Sequence, residues 1–345
     1  MALDFTADGY WRDQRRLESN IEHQPSALAM PWISINCPQC SGTLPRQAIW
    51  RTVTCGFCGA LVTRMESVVM RDAFRQALAL ARQEPAALSD GVQCGGHRYR
   101  LLQPVGAGEI SKVYVAMRVG ALPLLATLKL SDAPGAAARY AREAQVLREL
   151  QSSQGADAAY FTQRLPQVLA QGVVDAGQDN NARHALVLRY PNGYWGSLAA
   201  VQGRHAQGLD ARHVVWIWRR MLEVLGFIHR QDWCHGDVRP EHALVHPQDH
   251  GVLLIGWSSA HAKAGAKDKA GDLLSCARVM RVLLAGAIDG DGIPQGVPSG
   301  LAELVLRAGE DHAFCQLHGA AGLDALLKAA ATAAYGAPRF VPLTL

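Results

Sequence analysis

Four segments in a fixed order constrain the fold of this 345-residue chain more than any other feature. A glycine-rich turn with Gly106 and Gly108 lies between β-forming segments, and Lys129 follows in another such segment, LLATLKL. Glu143 then lies on a predicted helix, and a long second helix leads into CHGDVRPEHALV. A lone lysine or glutamate is usually a solvated surface charge, and a glycine pair is usually a turn. The shared order and spacing argue against coincidence.

This series resembles the eukaryotic-like (Hanks-type) protein kinases over roughly residues 97–280. The segment VGAGEISKVYVA is similar to the kinase loop whose backbone amides approach nucleotide phosphates, with Ser111 in place of the third glycine. The resemblance implies that Lys129 contacts the phosphates of ATP and pairs with Glu143. It also implies an α+β, bilobal protein-kinase-like fold with a β-rich N-lobe and a reduced helical C-lobe. The Ala-rich composition favours a bacterial source.

The stretch CHGDVRPEHALV is similar to the kinase pattern His-Arg-Asp-x-Lys-Pro-x-Asn. The resemblance places Asp237 at the catalytic base and Arg239 at the lysine of this pattern. His242 stands where the metal-binding asparagine belongs, and Gly256, in LLIGWSS, stands where the metal-binding aspartate belongs. Gly256 has no side chain, and a neutral imidazole is a poor match for Mg²⁺, which prefers hard oxygen donors. Both Mg²⁺ positions are therefore degraded.

The segment after Gly256 departs from the kinase pattern as well. Only residues 257–271 separate Gly256 from Asp272, which resembles the helix aspartate that supports the catalytic loop. This segment lacks the Ala-Pro-Glu anchor of the peptide-docking platform, and Gly236 replaces the arginine that reads an activation-loop phosphate. The resemblance therefore implies that phosphorylation of this loop does not control the protein.

Two cysteine pairs near the N-terminus predict a metal site. Cys37 and Cys40 form one CxxC pair, and Cys55 and Cys58 form a second pair after 14 intervening residues. Four thiolates in this spacing suit tetrahedral Zn²⁺, and the pattern resembles a zinc ribbon. Such a small module depends on its metal to fold, so the zinc is predicted to be structural. The absence of a dense basic run favours contact with a protein over contact with nucleic acid.

Composition and segment boundaries give the expected organisation. We predict an N-terminal arm (1–33), the zinc ribbon (34–62), a linker helix (63–96), the N-lobe (97–192) and the C-lobe (193–345). The net charge of +4 is small for this length, which argues against binding to nucleic acid or to a membrane surface. No apolar run approaches the roughly 20 residues that span a bilayer, and no secretory signal is evident. A cytoplasmic location is therefore expected.

The leading functional hypothesis is a pseudokinase that acts as a regulatory or scaffold protein for a protein partner. The resemblance leaves open whether ATP binds weakly through Gly106, Gly108 and Lys129 or does not bind. One alternative is an active atypical serine/threonine kinase or small-molecule phosphotransferase, with Asp237 and Asp249 as replacement metal ligands. A second alternative is a zinc-ribbon protein that binds nucleic acid.

Overall fold

The computed structural model describes residues 53–54, 61–62, 91–108, 110–119, 124–154, 158–174, 183–191, 193–285 and 292–345. The predicted zinc ligands Cys37, Cys40, Cys55 and Cys58 lie outside these residues, as does most of the predicted linker helix. Strand β1 (Val53–Thr54) pairs antiparallel with β2 (Leu61–Val62). These strands flank the second cysteine pair in the sequence.

A six-stranded antiparallel sheet forms the N-terminal part of the remaining chain, in the order β3-β4-β5-β6-β8-β7. Gly95 and Gly96, both with positive φ, form the tight turn between its first two strands. The first strand lies within the range 63–96, so the sheet begins before His97. The strands are β3 (Val92–Cys94), β4 (His97–Ala107), β5 (Lys112–Val119), β6 (Leu124–Ser131), β7 (Val168–Val174) and β8 (Arg183–Arg189).

Helix α1 (Ala136–Gln151) lies against this sheet and connects it to the rest of the protein. Its buried positions, which include Tyr140, Glu143, Leu147 and Leu150, recur at helical spacing on one face. Leu147 and Leu150 belong to the large apolar core that also contains the C-terminal helices. Helix α1 is therefore part of the core shared by the two halves of the chain.

The C-terminal part is mainly helical, as the sequence predicts. The short helix α2 (Ala158–Phe161) lies between α1 and β7 in the sequence, and the helices of the C-terminal part are α3 (Leu198–Arg204), α4 (Ala211–His229), α5 (Ala266–Ala285), α6 (Ser299–Glu310) and α7 (His312–Tyr335), which kinks at Gly319. A small sheet contains β9 (Gly196–Ser197), β11 (Ala243–His246) and β12 (Gly251–Leu254), while β10 (Trp233–Cys234) pairs with β13 (His261–Ala262). Within the described ranges, no helix is both long and apolar enough to cross a membrane.

The last residues of the chain pack onto the hairpin β11–β12. The ring of His250 stacks between Trp216 of α4 and Phe340 of the C-terminal tail, with both centroid distances at 4.2 Å. Its Nε2 lies 2.8 Å from the carbonyl oxygen of Val341, to which it donates a hydrogen bond. Burial lowers the pKa of His250 to about 3, so the folded protein keeps this imidazole neutral.

We expect the stability of the protein to fall as the pH is lowered below about 6.5. In that range an unfolded chain protonates His250 and the folded chain does not, which favours unfolding. From pH 7 to pH 5, His250 alone should cost about 2 kcal/mol. Denaturant unfolding of the wild type and of His250→Asn, which tolerates the positive φ at this position, measures the effect. The variant should lose less stability over this range, and parallel curves would contradict the prediction.

Candidate functional site

Lys129 and Glu143 form a close ion pair between the sheet and helix α1. The Nζ atom of Lys129 lies 2.7 Å and 2.9 Å from the two carboxylate oxygens of Glu143. The side chain of Glu143 is only 3% exposed and that of Lys129 is 16% exposed. Strand β6 holds the lysine in register between β5 and β8, so its position is fixed by backbone pairing as well as by charge.

Side-chain hydroxyl groups contact the glycine-rich turn. Strands β4 and β5 pair up to Ala107, opposite Lys112, and the amide of Gly108 donates to the carbonyl of Ser111 at 2.7 Å. The hydroxyl of Ser111 lies 2.8 Å from that of Tyr140 on α1. The hydroxyl of Ser131 also donates to a carbonyl of the turn. The position that would hold a third glycine thus ties the turn to the helix that carries Glu143.

Asp272 supports the loop that follows β10. Its carboxylate accepts hydrogen bonds from the backbone amides of His235 and Gly236 at 2.7 Å and 2.8 Å, and it lies 3.0 Å from Nε2 of His229. Helix α5 begins at Ala266, so Asp272 lies inside the helix rather than at its start. All three partners converge on one buried carboxylate, which fixes the backbone entering the loop.

Asp237, Arg239 and His242 lie together in this loop. The carboxylate of Asp237 is 3.5 Å from Nε of Arg239 and 3.3 Å from Nδ1 of His242. Nδ1 of His242 is also 2.9 Å from the carbonyl oxygen of Asp237, to which it donates. His242 is therefore held by Asp237, the residue predicted at the catalytic-base position, and does not extend freely into the cleft.

The ring of His242 fills the space beside Gly256. A Cβ atom built on Gly256 would lie only 2.8 Å from Cγ, Cδ2 and Cε1 of the ring, which places it over the ring face. Nε of Arg239 lies 3.3 Å from both ring nitrogens, so the guanidinium covers the ring as well. Since the two groups cannot share one face, the imidazole is enclosed between Gly256 and Arg239. The two residues that the sequence predicts at degraded Mg²⁺ positions thus form a single packed unit.

The charges in the cleft balance without a metal ion. Burial lowers the pKa of His242, so its imidazole is neutral at pH 7. Lys129 and Arg239 then offset Glu143 and Asp237. Mg²⁺ does not fit this set, because neither of the two metal positions offers an oxygen ligand. In the part of the chain that the structure describes, no group of three or more His, Cys, Asp or Glu side chains could hold a metal.

Asp249, the proposed replacement ligand, lies away from this cluster. It follows β11 in the hairpin turn, 3.5 Å from Nε2 of His246. His242 and Gly256 flank the opposite, open end of the same hairpin. A four-residue strand spans about 13 Å, so Asp249 cannot join Asp237 around one ion. The structure does not bring this expected ligand pair together.

The segment after Gly256 packs closely against the body of the protein. The indole of Trp257 is fully buried, 4.6 Å from the ring of His235, and donates to the carbonyl of Leu254 at 2.9 Å. Arg142 of α1 donates to the carbonyl of Ala260 at 2.8 Å. Strand β13 then pairs with β10, and α5 begins at Ala266. This short connection is held along its length and leaves no extended platform between residues 257 and 265.

We expect Gly236→Ala to destabilise the protein by about 2 kcal/mol or more, because two constraints meet at this glycine. Its φ is +74°, and an added Cβ would lie 2.8 Å from the carbonyl oxygen of Ser259. Gly271→Ala, on α5 with open space around it, is the matched control and should be neutral or slightly stabilising. Thermal and denaturant unfolding would measure both variants. An equal response of the two would contradict the proposed close approach.

The structure brings together most of the predicted cleft residues and adds contacts that sequence reasoning missed. The Lys129–Glu143 pair and the Asp237 loop lie at the junction of the sheet and the helical part. The link from Tyr140 to Ser111 was missed, and so was the contact of Gly236 with Ser259. Only the presence of Ser111 at a glycine position gave a signal for the first. Nothing in the sequence indicated the second.

This arrangement of sheet, helices and cleft is a protein-kinase-like fold. Among solved structures, the chain is similar to the crystal structure of the Mycobacterium tuberculosis PknI kinase domain, with a TM-score of 0.51 and 20% sequence identity. The match covers 71% of this chain and 99% of the PknI chain. At this identity the likeness concerns the fold. No protein-family model and no curated protein sequence matches the chain.

Proposed function

We propose that this protein is a pseudokinase, a kinase-like domain that acts as a regulatory or scaffold protein and does not transfer phosphate. One observation carries the proposal: the His242 ring packs against Gly256 where a metal-binding carboxylate would be needed. Neutralisation of phosphate charge by Mg²⁺ is among the largest contributions to phosphoryl transfer. Without it, Asp237 can orient a hydroxyl group but cannot promote the reaction. The compact segment 257–265 also offers little surface for a peptide substrate.

A phosphotransfer assay tests the proposal. The full chain would be incubated with γ-labelled ATP and either Mg²⁺ or Mn²⁺, with and without general protein substrates. Labelling by the wild type should equal that by Asp237→Asn, which removes the base while keeping the size of the side chain. Metal-dependent transfer that Asp237→Asn abolishes would overturn the proposal.

The second candidate function is an active, atypical phosphotransferase. The intact Lys129–Glu143 pair and the carboxylate of Asp272 under the loop favour it, because a catalytic cleft needs both supports. It would need metal ligands other than Asp249. The same assay separates the two functions.

The N-terminal cysteines are proposed to bind one structural zinc ion and to contact a protein partner in the cytoplasm. Metal analysis of the purified chain is expected to give one zinc per molecule. Cys37→Ser with Cys40→Ser should lose the metal, because two thiolates of the four are gone. Cys94→Ser, a buried cysteine on β3, is the control and should keep it. A wild-type chain without zinc would rule out the ribbon.

A further inference from the structure

We propose that the cleft binds the polyphosphate of a nucleotide directly through Lys129 and Arg239, and that Mg²⁺ weakens this binding. The inference rests on the proposed function, since it concerns the same cleft. It concerns whether free nucleotide or its Mg²⁺ complex binds more tightly, and not whether phosphate is transferred. The disagreement between the residues of the cleft and a Mg²⁺ site is its starting point.

The place that a metal ion would occupy is filled by the ring of His242. The imidazole of His242 lies against Gly256 on one face and under the guanidinium of Arg239 on the other. A divalent ion bridging phosphates would have to displace a neutral, partly buried ring that donates a hydrogen bond to the carbonyl of Asp237. The space is thus filled by side chains of the protein.

Two cationic side chains remain for an anion to contact. The side chain of Arg239 is 50% exposed, and its guanidinium lies at the open side of the His242 ring. A guanidinium offers five N–H donors and matches phosphate oxygens well. Lys129 lies on β6 and is partly exposed beside Glu143. A phosphate chain that reaches both cations needs no bridging ion to be held.

Two side-chain hydrogen bonds fix part of the glycine-rich turn. The bonds from Tyr140 to Ser111 and from Ser131 to Ile110 hold this turn in place with side chains of the protein. Because these bonds already hold Ile110 and Ser111, a ligand does not need to supply the free energy of fixing this part of the turn.

Mg²⁺ should compete with the direct contact between the phosphates and Arg239. Mg²⁺ holds phosphate oxygens and several waters in a rigid octahedral shell. In this cleft the ion would find no carboxylate at position 242 or 256. The carboxylate of Asp237 is already paired, since its Oδ1 lies 3.5 Å from Nε of Arg239. The complexed phosphate would lose its direct contact with Arg239, and the ion would face two cations. Free nucleotide should therefore bind more tightly than its Mg²⁺ complex.

Calorimetric titration of the full chain with ATP, in EDTA and then in excess Mg²⁺, tests the inference. We expect binding in EDTA and a severalfold weaker affinity in Mg²⁺. Arg239→Ala should weaken binding in EDTA by about tenfold or more, and Arg239→Lys by less. Arg212→Ala removes an arginine of similar exposure that pairs with Asp210, and it should leave the affinity unchanged. Adenosine, which lacks phosphate, should bind much more weakly than ATP.

Several results would overturn the inference. These are no binding of ATP in EDTA, tighter binding in Mg²⁺, equal binding of adenosine and ATP, or an unchanged affinity in Arg239→Ala. Thermal unfolding without ligand checks that the Arg239 variants are folded, as expected for a half-exposed side chain. Phosphate transfer in the separate assay would refute the proposed function. An inactive chain that fails these titrations would refute only the inference.

Discussion

Replacing Asp272 by alanine should lower the free energy of unfolding by about 3–5 kcal/mol. The carboxylate is buried and accepts bonds from the amides of His235 and Gly236, with Nε2 of His229 also at 3.0 Å. Alanine would leave the buried amide of His235 and the part-buried amide of Gly236 without their acceptor, and the loss at a buried amide costs about 1–3 kcal/mol. Because these amides begin the loop with Asp237 and His242, the loop should also lose its fixed conformation.

Denaturant unfolding of the Asp272→Ala variant measures the loss, and hydrogen exchange of the amides of His235 and Gly236 localises it. Glu310→Ala is the control, since Glu310 forms an exposed pair with Arg281 and should contribute less than about 1 kcal/mol. If the variant unfolds during purification, Asp272→Asn, which keeps one acceptor oxygen, provides a milder test. Equal stability of Asp272→Ala and Glu310→Ala would contradict the role assigned to this carboxylate.

The sequence was sufficient to predict the supports of the cleft. Lys129 is the one charged residue of an apolar strand, and Glu143 and Asp272 lie on the buried faces of their helices, where a charge needs a partner. Their order along the chain then matched one known fold. The two-part architecture follows from strands that precede helices, which the structure also has.

The sequence was not sufficient to predict what replaced the metal ligands. It shows that His242 and Gly256 lack the expected oxygen atoms, but the contact between them depends on the left-handed conformation of Gly256. It depends equally on the position of Arg239 over the ring. Such contacts are set by tertiary packing, for which local patterns carry no signal. The stacking of Phe340 on His250 was missed for the same reason, because the two residues are far apart in the chain.

The packing of His242 against Gly256 leads to the prediction with the largest expected change in behaviour. Gly256→Asp alone should destabilise the protein by about 2–4 kcal/mol, because its Cβ would overlap the ring of His242 at positive φ. His242→Asn removes the ring and should cost about 1–2 kcal/mol through lost packing. In the double variant the overlap is gone, so its destabilisation should be at least about 1 kcal/mol less than the sum.

Unfolding of the wild type, both single variants and the double variant gives this coupling free energy as a double-mutant cycle. Gly96→Asp, at a glycine with positive φ and no neighbouring atom within 4 Å, separates backbone strain from the contact with the ring. The double variant also restores two oxygen ligands, so Mg²⁺ should increase its affinity for ATP, opposite to the effect expected for the wild type. If Gly256→Asp costs the same with and without His242, the two positions are independent and the cleft is not closed by their contact.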